Sequence, residues 1–330
     1  MKRIHISFYS LVSVLLVIGI IIFACLPFVL NGEEKKYKIA VIMGSSQSDG
    51  WDTYIAGLFN ACEDYSSDVY IVPTNGFLGA DKAIEIAMEQ VRQGADALVL
   101  QSNDGTLLSG SLNTLPFDIP VVIVDGYDST PDMVRDCRAF MGFDNIAVGK
   151  SLAGEAEKVF STGLEGKKIG VISTSTKQYN IEIMKSSLEN EIANLGGTIA
   201  WEYEYNGEDE KYENLIQQKI YKYPVDILIA LDNDSLEAAI RCKTDHMNNS
   251  NIAMIGVGTS SMVLYHLDTG VVDALIVPDY FAMGYSTVRQ INAKLEAGYA
   301  DFKDETHTFR IIYRDTMFDE DQQKYLFGIY

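Results

Sequence analysis

The chain has 330 residues, and its 46 acidic side chains against 26 Lys and Arg give a formal net charge of −20. This length accommodates a membrane segment and two compact lobes, and an apolar content of 47% is typical of a folded protein. The negative charge argues against a nucleic acid partner, because binding to a phosphate backbone needs a basic surface.

An apolar segment without charged residues lies near the N-terminus, over residues 8–30. It is long enough to cross a hydrocarbon layer of about 30 Å. Two basic residues precede it and two glutamates follow it, which predicts a cytoplasmic n-region over residues 1–7 and an extracytoplasmic location for the bulk of the chain. An uncleaved transmembrane anchor in the cell membrane fits the length best. A lipoprotein signal with lipidation at Cys25 and a cleaved signal peptide remain open alternatives.

From residue 37 onward, short β-rich runs alternate with helical patterns, which indicates parallel sheets with crossover helices. The strands predicted in this first series are residues 38–43, 69–72, 97–100 and 121–124. The helices predicted between them include residues 51–65 and 80–93.

The same pattern starts again in the second half of the chain. Its predicted strands are residues 168–173, 199–203, 226–231, 252–257, 274–277 and 309–313. Its predicted helices are residues 145–160, 181–195, 212–221, 236–246 and 285–297. Two linked Rossmann-like α/β lobes explain this repetition better than a single sheet of more than about ten strands.

Six segments occur in the order and spacing of a known family: KIAVIMGSSQSDGWDTYIAG, VRQGADALVLQSND, DIPVVIVDG, FDNIAVGKSLAGEA, VDILIALDNDSLEAAI and IAMIGVGTSSMVLYHLDTGVVDALIVPDYFAMG. Through them, residues 38–313 resemble the type I periplasmic binding proteins, especially the ribose- and galactose-type sugar-binding members. The resemblance implies two lobes with parallel sheets joined by a three-strand hinge. Lobe 1 would comprise residues 37–143 plus 279–307, and lobe 2 residues 144–278 plus 308–330.

The resemblance also implies a ligand between the lobes, at the carboxyl ends of the strands. The candidate ligand-binding residues all follow predicted strands or begin helices: Gln47, Asp49, Trp51, Asn75, Asp104, Tyr127, Tyr179, Asp232, Asn233, Asp279 and Tyr280. Trp51 falls where the family places a stacking aromatic, and the alternative is an aromatic at the start of a helix that packs on the lobe surface. Asp49 and Asp104 could instead cap helices. Of Asp232 and Asn233, at least one is expected to face the cleft.

Three departures from the ribose-type pattern concern the ligand. No arginine follows Asp125, none lies in residues 180–185, and Gly256-Val257-Gly258 replaces a segment that carries an aspartate in the family. Arginine side chains bind hydroxyl and carboxylate groups with fixed geometry. Their absence argues against ribose and favours another sugar, a polyol or another neutral solute.

Catalytic and metal-binding motifs are not evident in the sequence. The four histidines are scattered, and the four cysteines form no C-x-x-C pair. We therefore predict a protein that is not an enzyme and that needs no metal or cofactor.

The predicted function is an extracytoplasmic solute-binding protein that closes on a sugar or a sugar-like small molecule and presents it to the permease of an ABC transporter. The alternative is a membrane-anchored, sugar-sensing ectodomain that contacts a two-component histidine kinase. The predicted anchor and the departures from the ribose-type pattern favour the sensor, whereas the usual role of the family favours transport.

Overall fold

The structure is a computed structural model, and it describes residues 16–17, 20, 36–44, 50–74, 79–101, 111–112, 114–116, 118–125, 137–174, 179–204, 212–247, 251–297 and 302–327. The predicted membrane segment, residues 8–30, lies outside these residues except for positions 16, 17 and 20, and Cys25 lies outside them too. Among the described residues, none of the helices has both the length and the apolar character that a bilayer crossing requires.

Residues 37–330 form one compact unit in which strands and helices alternate. The strands in chain order are β1 (Tyr37–Gly44), β2 (Ser67–Thr74), β3 (Ala97–Gln101), β4 (Val121–Val124), β5 (Arg138–Phe143), β6 (Lys168–Ser173), β7 (Thr198–Glu204), β8 (Ile227–Ala230), β9 (Ala253–Val257), β10 (Ala274–Pro278), β11 (Glu305–His307) and β12 (Phe309–Ile312). The helices are α1 (Gly50–Asp64), α2 (Ala80–Arg92), α3 (Asn145–Val159), α4 (Tyr179–Asn194), α5 (Tyr212–Lys222), α6 (Asn233–His246), α7 (Ser261–Asp268), α8 (Tyr280–Ala297) and α9 (Glu320–Phe327).

The strands build two six-stranded sheets. Sheet A has the order β11-β5-β4-β3-β1-β2, and sheet B has the order β12-β10-β9-β8-β6-β7. The α/β class and the division into two sheets, one for each βα series, are therefore confirmed.

Each sheet buries both of its faces. In β1, Ile39 and Val41 point into one apolar cluster, while Ala40 and Ile42 point into another on the opposite face. Because successive side chains of a strand alternate between faces, a strand that is covered on both sides must be apolar throughout. This explains the uninterrupted apolar runs at residues 39–43 and 169–172.

The described chain passes between the sheets at residues 144, 279 and 308. At the first two passages a strand is followed by a helix, whereas at the third β11 continues almost directly into β12. Since β11 runs parallel to β5 toward the edge where the strands of sheet A end, the chain enters sheet B from the facing edge. Strand β12 therefore pairs with β10 in the antiparallel direction, so sheet B is mainly and not wholly parallel.

Candidate functional site

The edges at which the strands of the two sheets end face each other. Asp125 directly follows β4 of sheet A, and Asn180 lies in the first turn of α4, the helix after β6 of sheet B. The amide Nδ2 of Asn180 donates a hydrogen bond to Asp125 Oδ2 at 2.7 Å. This contact places the carboxyl ends of both sheets at one cleft, which is where open α/β sheets generally bind ligands.

Aromatic side chains gather next to two of the crossings between the sheets. The rings of Trp51 and Tyr280 have centroids 5.4 Å apart, and Tyr280 also lies 5.1 Å from Phe143 in an edge-to-face arrangement. Trp51 is only 8% exposed, and its ring meets that of Tyr54 edge-on within the core of sheet A. The structure thus brings together Trp51 and Tyr280, which the sequence predicted, with Phe143, which it did not.

Tyr280 connects this aromatic group to carboxylates of both sheets. Burial raises the pKa of the Tyr280 phenol above its usual value, and the carboxylates of Asp125 and Asp232 raise it further. The phenol is therefore subject to the charge of one carboxylate from each sheet. The phenol stays protonated near neutral pH and can donate a hydrogen bond into the cleft.

Asp125 has an unusual backbone and an unusual acidity. Its φ of 57° lies in the left-handed region that few residues other than glycine, asparagine and aspartate adopt, and its amide donates to the Met141 carbonyl at 2.8 Å. Burial raises the pKa of its carboxyl to about 7, although the hydrogen bond from Asn180 opposes that increase. Asp125 was not among the sequence candidates, but it has the same signal as they do, namely a polar residue directly after a buried strand.

Asp232 uses both carboxylate oxygens to hold backbone groups. Oδ1 accepts a hydrogen bond from the Ser235 amide at 2.9 Å as the N-cap of α6, and Oδ2 accepts one from the Thr174 amide at 2.7 Å. Burial raises the pKa of Asp232, and these backbone hydrogen bonds lower it. The side chain therefore ties the end of β6 to the end of β8.

The side chain of Asn233 is engaged within sheet B. Its Oδ1 accepts hydrogen bonds from the amides of Thr259 at 3.1 Å and Ser260 at 3.0 Å, and its Nδ2 donates to Glu237 Oε1 at 3.2 Å. These contacts fix the loop between β9 and α7. The geometry describes a scaffold residue of the cleft wall, next to Asp232.

Asp279 joins two of the three crossings. Its carboxylate Oδ1 accepts a hydrogen bond from the Ala282 amide at 3.0 Å at the start of α8, and its own amide donates to the Thr308 carbonyl at 3.0 Å. The residue is 7% exposed. Asp279 therefore fixes the chain where it leaves sheet B and where it returns.

The other sequence candidates cannot be placed. Gln47, Asp49, Asn75, Asp104 and Tyr127 lie outside the described residues. Tyr179 is the first residue of α4, but its side chain is also outside the described part. Their roles stay predictions.

The part of the chain that the structure describes contains no evident site for a metal or a cofactor. No three histidine, cysteine or acidic side chains are grouped there as metal ligands. Cys62, Cys137 and Cys242 carry free thiols.

Comparison with known proteins identifies the family. Residues 39–299 match the periplasmic binding protein domain. The chain belongs to the periplasmic binding protein family. Its structural neighbours are sugar-binding proteins of the type I fold, so the resemblance seen in the sequence is confirmed. No curated protein matches the sequence.

Solved structures of this family share the fold at low sequence identity. A carbohydrate transporter solute-binding protein from Agrobacterium radiobacter, in complex with D-arabinose, superposes with a TM-score of 0.77 at 16% identity, covering 89% of this chain and all of the other. A solute-binding protein from Agrobacterium vitis bound to α-D-tagatopyranose gives a TM-score of 0.76 at 17% identity, covering 88% and 99%. A chain of the XylFII–LytSN complex gives a TM-score of 0.72 at 16% identity, covering 85% of this chain and 98% of the other.

Proposed function

We propose that this protein is an extracytoplasmic solute-binding protein that closes its two lobes on a sugar or sugar-like molecule and presents it to the permease of an ABC transporter. The lobes are residues 37–143 with 279–307 and residues 144–278 with 308–330. The observation that carries the proposal is the position of Tyr280, whose ring adjoins Trp51 and Phe143 and whose phenol is subject to the charge of a carboxylate from each sheet.

This combination suits a sugar. The apolar C–H faces of a pyranose or furanose ring pack on aromatic rings, and its hydroxyls exchange hydrogen bonds with carboxylates, amides and phenols. A hydroxyl left without a partner in a closed cleft costs about 1–3 kcal/mol, so such groups also give specificity. Family membership supports an extracytoplasmic location, and the sugars in the solved relatives support the ligand class.

Ligand binding is tested by titrating the full chain with a panel of pentoses, hexoses and polyols, using thermal unfolding and calorimetry. A ligand that binds only the folded protein, at 100 times its dissociation constant, stabilises it by about 2.7 kcal/mol. The matched variants are Tyr280→Phe, which removes the phenol of the cleft, and Tyr265→Phe, which removes one from a residue that is 62% exposed on α7. We expect about tenfold weaker binding for the first and unchanged binding for the second. Failure of every member of the panel to bind would refute the proposed ligand class.

A second role is a membrane-anchored, sugar-sensing ectodomain that contacts a sensor histidine kinase. The similarity to XylFII, which was solved in complex with LytSN, favours this role, as does the predicted anchor at residues 8–30. The genes beside the coding sequence discriminate the two roles. A permease and an ATPase support transport, whereas a histidine kinase and a response regulator support sensing.

A further inference from the structure

The two walls of the cleft contact each other directly, without a ligand between them, at the hydrogen bond from Asn180 to Asp125. We infer that Asp125 and Asn180 are positioning residues that form a latch, which draws the lobes together before ligand binds and thereby sets ligand affinity. The inference rests on the proposed binding function but concerns a step that precedes ligand contact.

Asp125 is held by sheet A. It follows the last residue of β4, and its amide donates to the carbonyl of Met141 in the neighbouring strand β5. Its φ of 57° puts its backbone in the left-handed region. The carboxylate is therefore presented at the edge of sheet A by backbone bonds that do not depend on sheet B.

Asn180 is held by sheet B. It lies in the first turn of α4, and its Oδ1 accepts a hydrogen bond from the amide of Ile181 at 2.9 Å. Because that bond occupies the oxygen of the amide group, the nitrogen is the atom left to face Asp125. Helix α4 in turn packs closely on α3, where Gly149 adjoins the backbone of Met184. Asn180 must therefore move with sheet B when the lobes separate.

The two partners thus belong to different rigid walls, and their hydrogen bond exists only when the cleft is closed. A ligand that binds the closed form alone has an apparent dissociation constant equal to the intrinsic one divided by the closed fraction. Removing the latch lowers the closed fraction of the free protein. Affinity then falls by at most the same factor, and we expect about tenfold for the loss of one buried hydrogen bond.

The test measures the distance between the lobes in the full chain in detergent, without sugar. Lys82 on α2 and Asn194 on α4 are each replaced by an unnatural amino acid with an azide group, to which a spin label is attached. This labelling leaves the native cysteines intact. Double electron–electron resonance spectroscopy then gives the distribution of distances between the two labels. We expect Asn180→Ala to move population from the short to the long distance. Asn190→Ala is the matched control, because this exposed residue on the same helix donates to the Ser186 carbonyl of its own helix.

Exchanging the side chains of Asp125 and Asn180 distinguishes loss of the latch from a general effect of substitution. The double variant Asp125→Asn with Asn180→Asp keeps one amide and one carboxylate across the cleft, and asparagine tolerates the left-handed backbone at position 125. We expect it to restore the short distance and the wild-type affinity. The latch is refuted if Asn180→Ala has the distance distribution of the wild type, or if the exchange behaves like Asn180→Ala.

Sugar titrations of the same variants complete the test. About tenfold weaker binding in Asn180→Ala, with recovery in the exchange variant, supports the latch. An unchanged affinity in Asn180→Ala would refute its control of binding. If the wild type binds no sugar, the proposed function fails, while the distances in the free protein still decide whether the latch exists.

Discussion

Gly57 on α1 lies directly against the carbonyl oxygen of Phe281 on α8, so a Cβ atom at position 57 would overlap that oxygen. The relationship is reciprocal, because a Cβ at Gly284 of α8 would overlap the carbonyl oxygen of Tyr54 on α1. The two helices therefore meet backbone to backbone on one face of sheet A. Gly149 allows the same close approach of α3 to α4 beside sheet B.

Alanine at Gly57 or Gly284 should destabilise the protein, because the added methyl group can be accommodated only if the helices move apart. Overpacking of this kind costs about 1–3 kcal/mol. Denaturant unfolding followed by circular dichroism measures the change. The control is Gly154→Ala in α3, where nothing lies within 4 Å of the new methyl group. It should raise stability by up to about 1 kcal/mol through helix propensity. Equal effects at Gly57 and Gly154 would contradict the close packing of α1 on α8.

Asp125 should make stability depend on pH in the direction opposite to an ordinary paired carboxylate. Its pKa is about 7 in the folded protein, against an ordinary 3.8 in the unfolded chain. The folded state therefore binds more protons between these values, and stability contributed by the protonated form is lost as the pH rises from about 4 to 7.

Replacement by asparagine removes this titration and keeps a residue suited to the backbone. We expect Asp125→Asn to be more stable than the wild type at pH 8 by at least about 1 kcal/mol, with a difference that disappears near pH 4. Thermal unfolding across this range measures it. A constant difference at every pH would show that the carboxyl is not protonated in the folded state.

Asn233 should contribute to stability as a scaffold residue. Alanine at this position leaves the amides of Thr259 and Ser260 without their acceptor, which costs about 1–3 kcal/mol. Asn190→Ala is the control, since its side chain makes an exposed contact within one helix. Chemical denaturation of both variants decides the matter, and a loss at Asn233 no larger than at Asn190 would argue against the scaffold role.

Trp51 and Trp201 provide a matched pair for ligand stacking. Both are nearly buried, but Trp201 belongs to the core of sheet B, where its Nε1 donates to the Tyr223 carbonyl at 2.9 Å. We expect Trp51→Phe to weaken sugar binding by about tenfold, because the larger ring adjoins the cleft beside Tyr280. Trp201→Phe should lower the unfolding temperature and leave the dissociation constant unchanged. Calorimetric titration of both variants gives the comparison, and equal affinities would remove Trp51 from the ligand site.

The two sheets could be predicted because a parallel strand covered on both faces is a continuous apolar run. Strand β11 could not, since Glu305, Thr306 and His307 are polar or titratable and form a strand only by pairing with β5, more than 160 residues earlier. Helix α8 begins at Tyr280 and not at residue 285 as predicted. Glycine often marks a helix boundary, but Gly284 lies inside α8, where the absence of a side chain allows α1 to pack closely.

The site was less predictable than the fold. A polar residue after a buried strand marks the cleft edge, and Asp232, Asn233 and Asp279 do lie at such ends. Their hydrogen bonds to backbone amides could not be foreseen, because helix caps and ligand sites use the same residue types. Asn180 and Phe143 gain their positions from contacts between segments that are distant in sequence.

The position of β11 has a consequence for how the protein is made. This outer strand of sheet A, and α8 before it, emerge during synthesis and export only after strands β6 to β10 of sheet B. Until then β5 has an unpaired edge, and the face that Met283, Val288 and Ile291 of α8 will cover is open to water. A chain interrupted before residue 280 therefore lacks a finished first lobe, and it presents an exposed apolar face to proteases. The first lobe is thus complete only after nearly the whole polypeptide has been synthesised and exported.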